Sequence, residues 1–97
     1  MAGLLFEWDP RKAASNASKH GVTFEEAKTV FYDEEALVIP DPDHSVDEDR
    51  FIIMGRSSEL YIIVVIHCFR QEGSSIRIIS ARKAGAKEQK PYWEKRT

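Results

Sequence analysis

Ninety-seven residues, 42% apolar and 31% charged, suit one globular domain over 1–97, because a chain this short buries only about 65% of its unfolded surface and cannot divide it between two cores. The single thiol, Cys68, excludes an intramolecular disulfide and a Cys-x-x-Cys metal site, which points to a reducing compartment. The longest apolar run, Leu60 to Ile66, is far short of the ~20 residues that span a bilayer, so a cytoplasmic protein with no membrane partner is expected.

The formal charge of −2 conceals a division: residues 1–50 hold 5 Lys/Arg against 12 Asp/Glu, and residues 51–97 hold 9 against 4. The halves therefore carry −7 and +5, facing different partners or each other. A basic half in a nearly neutral chain is one signature of a polyanion site; an ordinary solvated surface is the other reading.

In chain order, "LLFEW" (4–8) suits a short strand. Asp9-Pro10 supplies an N-cap with proline at the first helical position, and the helix should run to His20, where Gly21 fits the left-handed closing position. Thr23 and Glu26 have capping-box spacing, and Phe24, Ala27, Val30 and Phe31 recur at three- and four-residue steps, giving a second amphipathic helix over about 23–32. A short strand "ALVI" (36–39) leads into "DPDHSVDED" (41–49), a solvated acidic loop. Then "RFIIMG" (50–55), "LYIIVVIHCF" (60–69) and "SIRIIS" (75–80) form an antiparallel meander with short links. The run 60–69 is apolar at nearly every position, as a central strand buried on both faces requires. The tail "AGAKEQKPYWEKRT" gives a short last helix interrupted or restarted by Pro91. The expected fold class is α+β: two N-terminal helices on an antiparallel sheet of about four strands, with a short C-terminal helix.

Three segments, "FEWDP.KA..N..KHGV.FEEA" (6–27), "HS.DEDRF..MG" (44–55) and "IRIISARKA" (76–84), occur in an order and spacing that resembles the BrnT family of type II toxins. The resemblance covers nearly the whole chain. It implies a compact RelE-like ribonuclease fold and a metal-independent endoribonuclease that arrests translation. It also implies neutralisation by a small BrnA-like antitoxin with a ribbon-helix-helix DNA-binding domain, operator DNA being met only through that antitoxin. In the tail the chain departs from the family, whose last helix usually carries an Arg or Lys pair without a proline.

Cutting RNA without a metal needs a base for the 2′-OH, cations for the charge growing on phosphate, and an acid for the departing 5′-oxygen. The catalytic candidates are Arg82, Arg50, His67 and Ser80; the RNA-binding candidates are Lys19, His20, Arg70, Arg77 and Lys83. In a regular strand Arg77 would face away from Ser80 and Arg82, splitting the basic group across the sheet. Arg82 and Lys83, where the strand runs out, are better placed for a ligand than Arg77, which snorkels or pairs with an acid in the alternative reading. Arg50 is either a phosphate clamp or the partner of Asp47 or Glu48. His67 alternates with Tyr61, Ile63, Val65 and Phe69, the pattern of a half-buried histidine; it gains a functional reading from nearness, with Arg70, to the end holding Arg77 to Arg82. His20 complements the dipole of the first helix or, through the family's "KHG", contacts RNA together with Lys19. His44 lies in the acidic loop.

Asp41, Asp43, Asp47 and Asp49 evoke calcium, but the loop lacks the glycine and terminal glutamate of the helix–loop–helix pattern, so neither metal nor cofactor is expected. Lys90, Tyr92 and Trp93 stack on a base, staple the last helix, or belong to the antitoxin's landing surface. Two function classes remain: the ribonuclease toxin, and a catalytically inactive binding module that acts with its antitoxin in operator repression.

Overall fold

Local chemistry sets the helix boundaries. A computed structural model describes residues 3–40 and 50–95, so the acidic loop and His44 lie outside the described residues. Asp9 is extended, and its side chain accepts the Arg11 N–H at 2.8 Å, opening α1 (Pro10–His20). Gly21, at φ 69°, closes that helix, its N–H returning to the Ala17 carbonyl at 2.9 Å; a side chain there would be strained. The Thr23 hydroxyl accepts the Glu26 N–H at 3.0 Å and starts α2 (Phe24–Thr29), which tightens into a 3-10 turn over Val30–Tyr32.

The strands are β1 (Phe6–Glu7), β2 (Leu37–Pro40), β3 (Arg50–Arg56), β4 (Ile62–Arg70) and β5 (Ser75–Lys83), with α3 (Lys90–Lys95) last. They form one sheet in the order β1-β5-β4-β3-β2. The expected meander is present and β4 is central, but the sheet has five strands, and β1 pairs with β5 in parallel. Parallel neighbours cannot be joined by a hairpin; here both helices and β2 to β4 lie between the two strands in the chain.

The alternation of β3 and β4 divides two packing surfaces. On one face Val22, Phe24, Ala27 and Val30 pack on Ile53, Ile63, Val65, Ile78 and Ala81. On the other, Tyr92 of α3 packs on Met54, Ile62 and Val64. Tyr92 is 0% exposed, so of its three sequence readings packing holds and base stacking does not. Its hydroxyl donates to Asp33 Oδ2 at 2.6 Å, an oxygen that also accepts the Arg56 N–H at 2.8 Å. Burial opposes the charge on Asp33, but these donors outweigh it and hold the carboxyl below its ordinary range.

Candidate nucleic-acid interface

The basic group of β5 is brought together by one irregularity. Ile66 pairs with Ser80, yet His67 pairs with Ile78, leaving Ile79 as an extra residue in β5. This bulge shifts the alternation by one position. Arg77 lies opposite Cys68, Ser80 opposite Ile66 and Arg82 opposite Val64; those partners are two residues apart on β4 and share a face. Arg50 also pairs with Cys68 and joins the same face. The expected splitting of Arg77 from Ser80 and Arg82 therefore does not occur, and the group lies opposite the face that α1 and α2 cover.

Carboxylates hold two of these arginines. Arg77 Nη1 donates to Glu7 Oε2 at 2.7 Å, which ties β1 to β5 beside their parallel pairing and keeps the Glu7 carboxyl below its ordinary range. The Arg77–acid reading thus holds, with Glu7 as the acid. Arg82 donates both arms to Glu88, at 2.7 Å to each oxygen. The two side chains of this fork are 46% and 39% exposed, so water competes and the pair adds little to stability. Two phosphate oxygens meet the same fork geometry that Glu88 now occupies.

Beside this face, α1 and the β5 bulge enclose a groove of about 200 Å³ lined by Lys12, Ser15, Asn16, Lys19, His20, Ile79 and Ser80. Lys12, Ser15, Asn16 and Lys19 recur at three- and four-residue steps and so share one side of α1. Lys19 and His20 thus meet Ser80 in a lining without carboxylates. The hollow beside Asp33, by contrast, carries Glu34 and Glu35. Ser80 belongs both to the groove and to the arginine row.

A family model described as the ribonuclease toxin, BrnT, of type II toxin-antitoxin systems matches residues 8–88. The chain belongs to the BrnT family. The crystal structure of the Brucella abortus ribonuclease toxin, BrnT, is similar with a TM-score of 0.67 and 27% sequence identity, over 86% of this chain and 99% of that one. No curated protein matches.

Other candidates are dispersed in this BrnT-family chain. Arg70 pairs with Ser75, whereas Arg82 lies opposite Val64, six positions back along β4; at ~3.3 Å per residue that is about 20 Å. The two do not share one strand end, and the arginines form a row along the sheet. Lys83, opposite Ile63, points to the other face and sets its Nζ 3.9 Å from the Tyr61 ring centroid. His67 also faces the helices. It is 1% exposed, its ring centroid 4.8 Å from that of Phe31 and 5.5 Å from that of Phe69. The expected nearness to the basic stretch holds along the sheet, since His67 pairs with Ile78 beside Arg77, but its ring is buried on the helix face, opposite the face that carries Arg77, Ser80 and Arg82. Sequence reasoning missed Lys12, Ser15, Asn16 and Glu88; the helical spacing of the first three from Lys19 was the available signal.

Burial holds the His67 pKa below the ordinary 6.5, against a weaker pull from the Val65 carbonyl. The sign follows: both folded and unfolded forms are neutral above 6.5, and as pH falls below it the unfolded chain takes the proton first. Stability is expected to drop from about pH 7 to pH 5, above the range where carboxylates titrate. Replacing His67 with phenylalanine, which suits the surrounding rings, should remove this part of the slope. Denaturant unfolding at both pH values checks it, and equal slopes in the two proteins would contradict it.

Proposed function

We propose that this BrnT-family toxin is an endoribonuclease that cuts RNA without a metal ion and arrests translation. A BrnA-like antitoxin with a ribbon-helix-helix domain restrains it in the cytoplasm, and operator DNA is met only through that antitoxin. The observation that carries the reading is the bulge at Ile79, which sets Ser80, Arg77 and Arg82 on one face next to the Lys12–Lys19–His20 groove.

In this reading the groove holds the RNA backbone through Lys12, Lys19 and the Ser80 hydroxyl, while Arg82 leaves Glu88 to grip two oxygens of the scissile phosphate. Arg50 and Arg70 extend the positive row for flanking phosphates. The 2′-oxygen attacks the adjacent phosphorus; its O–P bond forms as the P–O5′ bond breaks, leaving a cyclic phosphate and a 5′-hydroxyl. A base takes the 2′ proton and an acid returns one to O5′. His20, one of the residues lining the groove, takes the place of the buried His67 as the proton-transfer group. Arg82 contributes charge stabilisation that grows in the transition state.

Induced expression of the protein alone, and together with the antitoxin from the adjacent reading frame, tests this proposal. Growth and protein synthesis should stop in the first case and persist in the second. Unimpaired synthesis with the protein alone would favour the inactive operator-binding module.

A further inference from the structure

The outer edge of β5 is only partly covered. Strand β1 pairs with it at Ile76 and Arg77 alone, and farther along an α1 side chain stands where a strand would. Asn16, 6% exposed, accepts the Ala81 N–H on Oδ1 at 3.1 Å and donates from Nδ2 to the Ala81 carbonyl at 2.8 Å. Nδ2 also donates to the Val22 carbonyl, at 3.0 Å, in the link between α1 and α2. The carboxamide thus imitates a strand residue and fastens β5 to both helices. Among the described residues no buried side-chain polar atom lacks a partner, so this clamp is complete.

Its place on β5 gives it meaning. Ala81 lies between Ser80 and Arg82, two residues past the bulged Ile79. Removing the bulge would move one side of it by one position and turn Arg77 to the face opposite Ser80 and Arg82. We propose that Asn16 is a positioning residue for RNA cleavage: through Ala81 it fixes the bulge that presents Ser80 and Arg82 to the substrate. The inference rests on the ribonuclease reading above. A side chain that only filled volume could be replaced by leucine; one that holds both backbone groups of Ala81 could not.

The test compares wild-type protein with Asn16→Leu and Asn16→Ala in steady-state RNA cleavage, with thermal unfolding and amide exchange of Ala81 measured on the same samples. Both variants should melt cooperatively and exchange the Ala81 amide faster. Their kcat should fall about 10²-fold, the scale of a misplacement near 1 Å. KM should stay within about threefold, because Lys12 and Lys19 still hold RNA. A merely structural role would lower activity only in proportion to the folded fraction, and that result would overturn the proposal. So would wild-type kcat in a folded variant, or failure of both variants to fold, which would assign Asn16 to the stability of the core. Wild-type protein that cuts no RNA would bring down the ribonuclease reading and this inference together, whereas an active Asn16→Ala would bring down the inference alone.

Discussion

Arg82→Ala is expected to slow RNA cleavage about 10²-fold, on the order of 3 kcal/mol of transition-state stabilisation. Binding should weaken much less, since the groove lysines and the rest of the arginine row remain. Folding should be nearly unaffected, because the Arg82–Glu88 fork is close to half exposed and such pairs contribute at most about 1 kcal/mol. Arg82→Lys should remain largely impaired, as an ammonium supplies charge without the planar fork. Glu88→Gln provides the opposite sign. It keeps an acceptor for the Gly85 N–H, which Glu88 now binds at 3.1 Å, but withdraws the carboxylate that competes with phosphate. RNA affinity should rise up to about fivefold, the equivalent of ~1 kcal/mol. Cleavage kinetics and RNA binding on the three variants check these expectations; full activity in folded Arg82→Ala would leave Arg50 or Arg77 as the clamp.

Ile63→Ala should be the most damaging simple truncation in the sheet. Ile63 is 0% exposed on the central strand and belongs to the helix-face cluster with Val22, Phe24 and Val65. Its neighbours come from rigid elements on two layers and collapse poorly into the space, so the expected loss is 2–5 kcal/mol. For a domain of this size ~1 kcal/mol corresponds to about 4–8 °C, so the fall in Tm should be about 10 °C at the least and up to about 40 °C. A thermal melt decides it, and a shift of only a few degrees would mean that the layers close over the missing methyls.

The helices and the meander were legible because their signals are local: Asp9-Pro10, Gly21 and Thr23 act within a few residues, and the nearly unbroken apolar run 60–69 marks a strand buried on both sides. The parallel pairing of β1 was not legible, since only two of its residues pair and nothing in "LLFEW" names the partner. The bulge was hidden for a stronger reason. Two residues past it, Ala81 bonds the Asn16 carboxamide 65 positions back in sequence, and without the bulge strict alternation separates Arg77 from Arg82. The nearness of His67 to the basic stretch was legible, but not its face: the bulge puts Arg77, Ser80 and Arg82 opposite the even-numbered residues of β4, and His67 is left on the helix side. Glu88 escaped because its contact with Arg82 depends on how the turn from Gly85 folds back.

The most direct measurement is cleavage of RNA by the purified protein in excess EDTA, with Arg82→Ala run beside it. Wild-type cleavage should continue at full rate in chelator, and Arg82→Ala should be slower by about two orders of magnitude. Activity abolished by chelation and restored by a divalent ion would contradict this expectation, because the charge on the scissile phosphate would then be met by a metal and not by the arginine row of the sheet.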